Sequence, residues 1–222
     1  YLDGVTAFVI PEVGPQLAAF QTKRVDITAA GSPTQQKEIA SKAAGELREH
    51  QFAAAGHSYL LYNVKKPPFD DPKVRKAMYL WIDRQEFLDK SSKGKGFLRD
   101  WLNPNWNGGY GTYYEDLVKN NLAYKPDKTE ARKKAMELLA EAGYPDGLEL
   151  TMQVSLPLDI QTAEILQEQW QKIGVDLEIE QIADFNQQLD NYINVKHQLS
   201  IVSLVWQPDP HSDVYQIYYS TS

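Results

Sequence analysis

Between residues 127 and 206 the apolar positions recur first every three to four residues and then every second residue, and the alternation repeats. A spacing near 3.6 marks one face of a helix, and a spacing of 2 marks a half-buried strand. Asp127 with Glu130 three positions later forms a capping-box-like start. Ala131, Ala135, Leu138, Leu139 and Ala142 share a face, and Gly143 with Pro145 stops the helix. Leu148, Leu150, Met152 and Val154 then alternate with Glu149, Thr151 and Gln153, which predicts a strand. Asp159 is expected to cap a second helix carrying Ala163, Leu166, Trp170 and Ile173, with Gly174 at its end. Val175, Leu177, Ile179 and Ile182 supply another alternating strand, and a third helix is predicted over residues 184–194. Leu199, Ile201, Val202, Leu204, Val205 and Trp206 form a more continuous apolar run, suited to a strand covered on both faces, which ends at Pro208-Asp209-Pro210. Strand, helix, strand with crossovers of this length predicts an α/β fold with parallel neighbours and right-handed connections.

The first half is less regular. Residues 5–10 read as a strand, Leu17, Ala18 and Phe20 mark a short helix, and Ser32, Pro33 and Gln35 supply an N-cap, a first-turn proline and a capping-box partner for the next one. Residues 59–64 are an apolar run broken by Pro67-Pro68. After Asp71-Pro72, the stripe Val74, Ala77, Met78, Trp81 and Ile82 predicts a helix packed into the core. From Lys90 the composition turns to Gly, Asn, Lys and aromatic residues, so a long aromatic loop is expected over residues 90–126.

Composition narrows the classes. The 222 residues are 42% hydrophobic and 24% charged with no Cys, an ordinary globular balance that excludes disorder, a disulfide framework and thiolate chemistry. Thirty acidic against 23 basic side chains give a net charge of −7, and the basic residues form no stripe, so nucleic acid is not the expected partner. No apolar run approaches the ~20 residues that span a bilayer. The chain opens at Tyr1 without Met and stops at Thr221-Ser222, and is expected to be a piece of a longer protein.

Motifs for phosphate loops, nucleophile elbows, zinc helices and dinucleotide folds are missing. Gly94-Lys95-Gly96 follows a predicted helix instead of opening one, and reads as a solvated loop. The densest polar cluster runs from Trp206 through Gln207, Pro208, Asp209, Pro210, His211 and Ser212 to Asp213, at the carboxyl end of the apolar strand, where ligands bind in open α/β sheets. Three readings compete for it. Asp209, His211 and Asp213 can serve a metal or a hydrolytic centre if the segment is extended. Asp209 can instead close an Asx turn while Asp213 caps a helix. In the third reading a carboxylate faces a cleft beside an indole wall, ready for a cationic group. Trp101, Trp106, Tyr110, Tyr113 and Tyr114 can form a stacking platform or fold back over their own core. His50, His57 and His197 have no partner at a recognisable spacing and are expected to be incidental surface residues.

Residues 62–77, Tyr-Asn-Val-Lys-Lys-Pro-Pro-Phe-Asp-Asp-Pro-Lys-Val-Arg-Lys-Ala, followed by Ile82-Asp83-Arg84, closely resemble the signature stretch of the family 5 extracellular solute-binding proteins, the peptide- and nickel-type receptors of bacterial ABC importers. The resemblance continues in Tyr1-Leu2-Asp3-Gly4-Val5, Leu17-Ala18-Ala19-Phe20-Gln21, Val25-Asp26-Ile27, residues 138–147, Gln169-Trp170-Gln171-Lys172-Ile173-Gly174-Val175 and Trp206-x-x-Asp209. It implies a single lobe with a mixed, largely parallel sheet flanked by helices, of the class II periplasmic binding protein kind. Residues 1–222 would be the distal lobe of a two-lobed receptor, with the ligand-proximal lobe and the C-terminal return absent. It further implies a periplasmic or extracellular, non-enzymatic, cofactor-free and metal-free monomer, of a kind that a lipid can tether, that binds a small solute or peptide and serves ABC permease subunits. Asp209 takes the position that pairs with a peptide's α-ammonium in peptide-binding relatives. Trp206, Gln207 and Pro208 are the expected cleft wall, with Asn63, Trp106 and His211 as further candidates. The turn Pro210-His211-Ser212-Asp213 departs from the longer Asp-rich turn of many peptide binders and leaves oligosaccharides and other solutes open.

Overall fold

A computed structural model describes residues 2–10, 12–29, 33–42, 47–50, 56–94, 96, 98 and 111–205. The chain divides into two compact units, Tyr1–Phe52 and Ala53–Ser222. In the first, α1 (Val13–Gln21) and α2 (Pro33–Lys42) bury Leu17 and Ile39. Pro33 opens α2 as expected, while Ser32 lies outside the described residues. The strand expected over residues 5–10 does not form. The segment pairs with no strand among the described residues, and Val5 and Val9 are 84% and 93% exposed. Alternation alone makes no strand, because the backbone donors and acceptors need a neighbour.

The second unit is built on four strands, β1 (Gly56–Tyr62), β2 (Leu148–Val154), β3 (Val175–Gln181) and β4 (Leu199–Val205), in the order β1-β4-β2-β3. β2 is parallel to both β3 and β4, as the periodicity predicts, and β1 runs antiparallel to β4, giving the mixed, largely parallel sheet that the resemblance implies. β3 is an edge strand whose Asp176, Glu178 and Glu180 alternate outward while Val175 and Leu177 point to the core.

The helices follow the predicted stripes. α3 (Pro72–Trp81) is capped by Asp71, whose carboxylate accepts from Lys73 N–H at 2.7 Å, and it buries Val74, Ala77, Met78 and Trp81. Burying one of its larger apolar side chains contributes ~1.5 to 3 kcal/mol. α6 (Thr129–Glu141) and α7 (Pro157–Gln171) carry Ala135, Leu138 and Leu139, and Ala163, Leu166 and Trp170, into one core with Met152, Leu199 and Ile201, and Ala131 of α6 is buried as well. α8 (Phe185–Ile193) connects β3 to β4 where the sequence predicts a helix, and it is capped by Asp184.

Two caps differ from expectation. α7 starts at Pro157, whose fixed φ suits a first turn, so Asp159 sits inside the helix and is fully buried rather than capping it. α6 has Lys128 at its N-cap, while Asp127 closes a local turn by accepting from Thr129 N–H at 2.9 Å, a bond that holds its carboxyl below the usual range.

The long loop expected over residues 90–126 is helical at both of its ends, and residues 99–110 in its middle lie outside the described residues. α4 (Arg84–Ser92) runs into its beginning, and α5 (Tyr114–Asn120) with a 3₁₀ turn (Leu122–Tyr124) forms its end. Asp83 caps α4 through Glu86 N–H, Leu117 and Ala123 are buried, and the Arg84 guanidinium lies 4.5 Å from the ring centres of both Tyr79 and Tyr124 while donating to the Ala123 carbonyl. α4 ends with Lys93 in the left-handed conformation; Lys95 of Gly94-Lys95-Gly96 is outside the described residues.

Candidate functional site

The sheet's two ends differ in what they hold. At the carboxyl end, β4 pairs with β2 only through Met152 with Leu199 and Gln153 with Ser200, yet it stays paired with β1 as far as Val205 opposite Gly56. β2 ends at Val154, whose carbonyl accepts from Ile182 N–H at 2.8 Å, so the chain leaving β3 closes over it. Counting on in register, residues 202–205 project past β2 as part of a two-stranded ribbon, about 13 Å of chain at ~3.3 Å per residue. Leu156 and Leu158 stand exposed where β2 turns into α7.

The residue after Val205 is Trp206. Trp206, Gln207, Pro208, Asp209, His211 and Asp213 lie outside the described residues, as do Trp106 and the rest of the Trp101 to Tyr110 aromatic stretch. Among the described residues no group of three His, Cys, Asp or Glu side chains can hold a metal ion.

Beneath this end lies a polar layer that belongs to no recognisable sequence motif. Gln188 is fully buried and bridges β2 and β4, and Gln153 binds Glu180 at 2.9 Å and Asn191 at 3.2 Å. A signal was present: with Phe185, Leu189 and Tyr192, Gln188 occupies the i, i+3, i+4, i+7 stripe of α8, a polar residue at a core-facing place.

The amino end of β4 holds Asn63, the one described member of the expected site. It follows β1, pairs through its backbone N–H with Gln198, and lies beside Leu199, at the opposite end of β4 from Val205. Its side chain is 2% exposed. Nδ2 donates to the carbonyls of His197 (2.8 Å) and Val195 (3.3 Å), and Oδ1 accepts from Lys65 N–H. These bonds hold the turn between α8 and β4, in which Val195 takes a left-handed φ of 55°. Asn63→Ala, which leaves those backbone groups without their partner, is expected to lower stability by about 2 kcal/mol in urea unfolding; a change under ~0.5 kcal/mol, the level of an ordinary surface substitution, would refute that role.

His197 belongs to the same turn and is not the surface residue expected. It is 4% exposed, its Nδ1 lies 3.5 Å from the Asn191 carbonyl, and its ring packs against Tyr192 at 5.5 Å. Burial, with a smaller push from Lys66, lowers its pKa below the ordinary 6.5. The unfolded chain therefore takes up the proton first as pH falls. The contribution is complete above about pH 6.5 and is lost as pH drops below it. His197→Gln should flatten the pH dependence of the melting temperature between pH 7 and 5, and an unchanged slope would contradict the assignment. His50, by contrast, is exposed as expected. A surface pocket of about 280 Å³ also lies toward this end, lined by Pro67, Pro68, Tyr144, Leu148 and Glu149.

The sequence profile described as bacterial extracellular solute-binding proteins, family 5 Middle, matches residues 1–222. The chain belongs to this family. Membership places the family 5 chain outside the cytoplasm, and no described helix is long and apolar enough to cross a membrane. It is 27% identical to the heme-binding protein A of Haemophilus influenzae over 182 residues, covering 78% of this chain and 30% of that protein. It is equally 27% identical to the dipeptide-binding protein of Escherichia coli over 184 residues, covering 80% and 32%. The structure of the oligopeptide-binding protein AppA of Bacillus subtilis, in complex with a nonapeptide, superposes with a TM-score of 0.70 at 21% identity, covering 96% of this chain and 42% of that one. The family 5 chain thus has the class II periplasmic binding protein fold, and it spans about a third of the length of the curated relatives it matches.

Proposed function

We propose that this chain is the distal-lobe part of a two-lobed receptor that binds a small solute, a peptide in the reading favoured here, and delivers it to the permease subunits of an ABC importer. The family match over residues 1–222 carries the reading. The peptide is supported by Trp206-x-x-Asp209, which follows directly on β4 at the end of the sheet where open α/β folds take ligands. A carboxylate shielded from water recognises an ammonium through strong charge-assisted hydrogen bonds. Trp206, Gln207 and Pro208 line the same wall, with His211 and Trp106 nearby in function. Asn63 supports the far end of the strand instead. The receptor acts as a monomer, by binding and not by catalysis, without a resident cofactor or metal, and a lipid can tether the parent to the membrane.

Two relatives of equal identity are named for heme and for dipeptide, so identity alone does not choose the solute. Native mass spectrometry of the full-length receptor, purified from a bacterial periplasm, decides between them. A co-purified peptide is the expected mass. Heme, or a metal ion retained without peptide, would set the proposal aside.

A further inference from the structure

The pairing of β2 with β4 ends at Gln153 and Ser200, and there the Gln188 side chain of α8 bonds to both strands. Gln188 Nε2 donates toward the Gln153 carbonyl (3.0 Å), Ser200 Oγ (2.9 Å) and the Ile201 carbonyl (2.7 Å), and its Oε1 accepts from Ser155 Oγ (2.5 Å). A primary amide has two N–H groups, so three acceptors at these distances share them. Ser200 Oγ also reaches the Gln153 carbonyl at 3.2 Å, which closes the network.

This is the work a longer β2 would do. A further β2 residue would offer its backbone donor to β4; Gln188 offers a side-chain amide to the same strand from α8. An apolar residue at this place on the α8 stripe would fill the space equally well but leave the Ile201 carbonyl without that donor in a dry site.

We propose that Gln188 is a positioning residue: it stands in for the missing length of β2 and fixes the course on which the chain leaves β4 at Val205, ahead of Trp206 and Asp209. Its meaning for binding rests on the reading of Asp209 given above, whereas its effect on β4 does not.

Gln188→Met in the 222-residue chain keeps length and helix propensity while removing the amide. In hydrogen exchange, the amides of residues 201–205 are expected to exchange about tenfold faster, with those of Leu150 and Leu177 changed less than about twofold. The indole N–H signal of Trp206, assigned with Trp206→Phe, should shift while those of Trp81 and Trp170 stay in place. Ser155→Ala, which spares all three Nε2 contacts, should leave residues 201–205 unchanged. If Gln188→Met is unfolded, Gln188→Asn, which keeps the amide and shortens its reach by one methylene, replaces it. Uniform acceleration across the sheet, a Trp206 signal that stays put, or equal effects of Ser155→Ala would overturn the proposal. An Asp209→Asn receptor that binds peptides normally would remove the ammonium role and leave these exchange results standing.

Discussion

Asp209→Asn in the full-length receptor is expected to weaken binding of a free peptide by about 2 to 5 kcal/mol, roughly thirty- to several-thousandfold in Kd. The replacement keeps the size and polarity of the side chain and removes only its charge, so a buried ammonium would be left without its counter-ion. An N-acetylated peptide has no ammonium to lose and should be nearly indifferent to the change. Calorimetric titration with both forms of one peptide makes the comparison, and equal losses would discard the ammonium role. The same physics limits the 222-residue chain. With one wall only, the pair would stand in water, where such contacts contribute ~0 to 1 kcal/mol. Micromolar peptide binding by this chain alone would contradict the two-walled site.

The second large effect is structural. Gly147→Ala is expected to cost ~4 kcal/mol or more, the range reached only when backbone strain and a steric clash combine. Gly147 has φ +102°, and a Cβ built on it would lie 2.0 Å from the Gly174 carbonyl oxygen, which is backbone and has no flexible end to move away. Gly174, with φ +77°, in turn faces the Asp146 carbonyl. The two glycines immediately precede β2 and β3, so the clash would push apart the paired starts Leu148 and Val175. Gly143 provides the comparison: its φ is +92° but nothing lies within 4 Å of the Cβ position. Gly143→Ala should therefore show the conformational cost alone, ~1 to 2 kcal/mol. Urea unfolding of both variants would separate the two contributions, and equal losses would mean that the contact with Gly174 relaxes freely.

Where the sequence was readable, one face of each element was apolar and the other wet. The stripe of α3, the α6 to β4 series and the parallel pairing follow from that contrast, because periodicity reports which side is buried. α4 and α5 gave no such contrast. α4 buries none of its side chains and α5 only Leu117, and the region is fixed by distant partners, Arg84 against Tyr124 and Trp81 Nε1 with Asp83 around Gln169. Residues 5–10 show the converse error, a strand-like alternation with no pairing neighbour among the described residues. At the candidate site, the end of β4 at Val205 was legible because prolines follow it in the sequence, whereas Trp206 to Asp209 lie outside the described residues. Asn63 could not be placed from sequence, since its partners Val195 and His197 are more than 130 residues away and are brought to it by the antiparallel pairing of β1 with β4. The same folding buries His197.

The edge strand β3 has a consequence for life at high concentration. Another copy approaching edge-on to extend the sheet would meet Asp176, Glu178 and Glu180 on every second residue, and those hydrated carboxylates would have to shed water or crowd against its own. Fibrous growth along that border is thereby discouraged, so copies of this chain can accumulate without recruiting one another through β3.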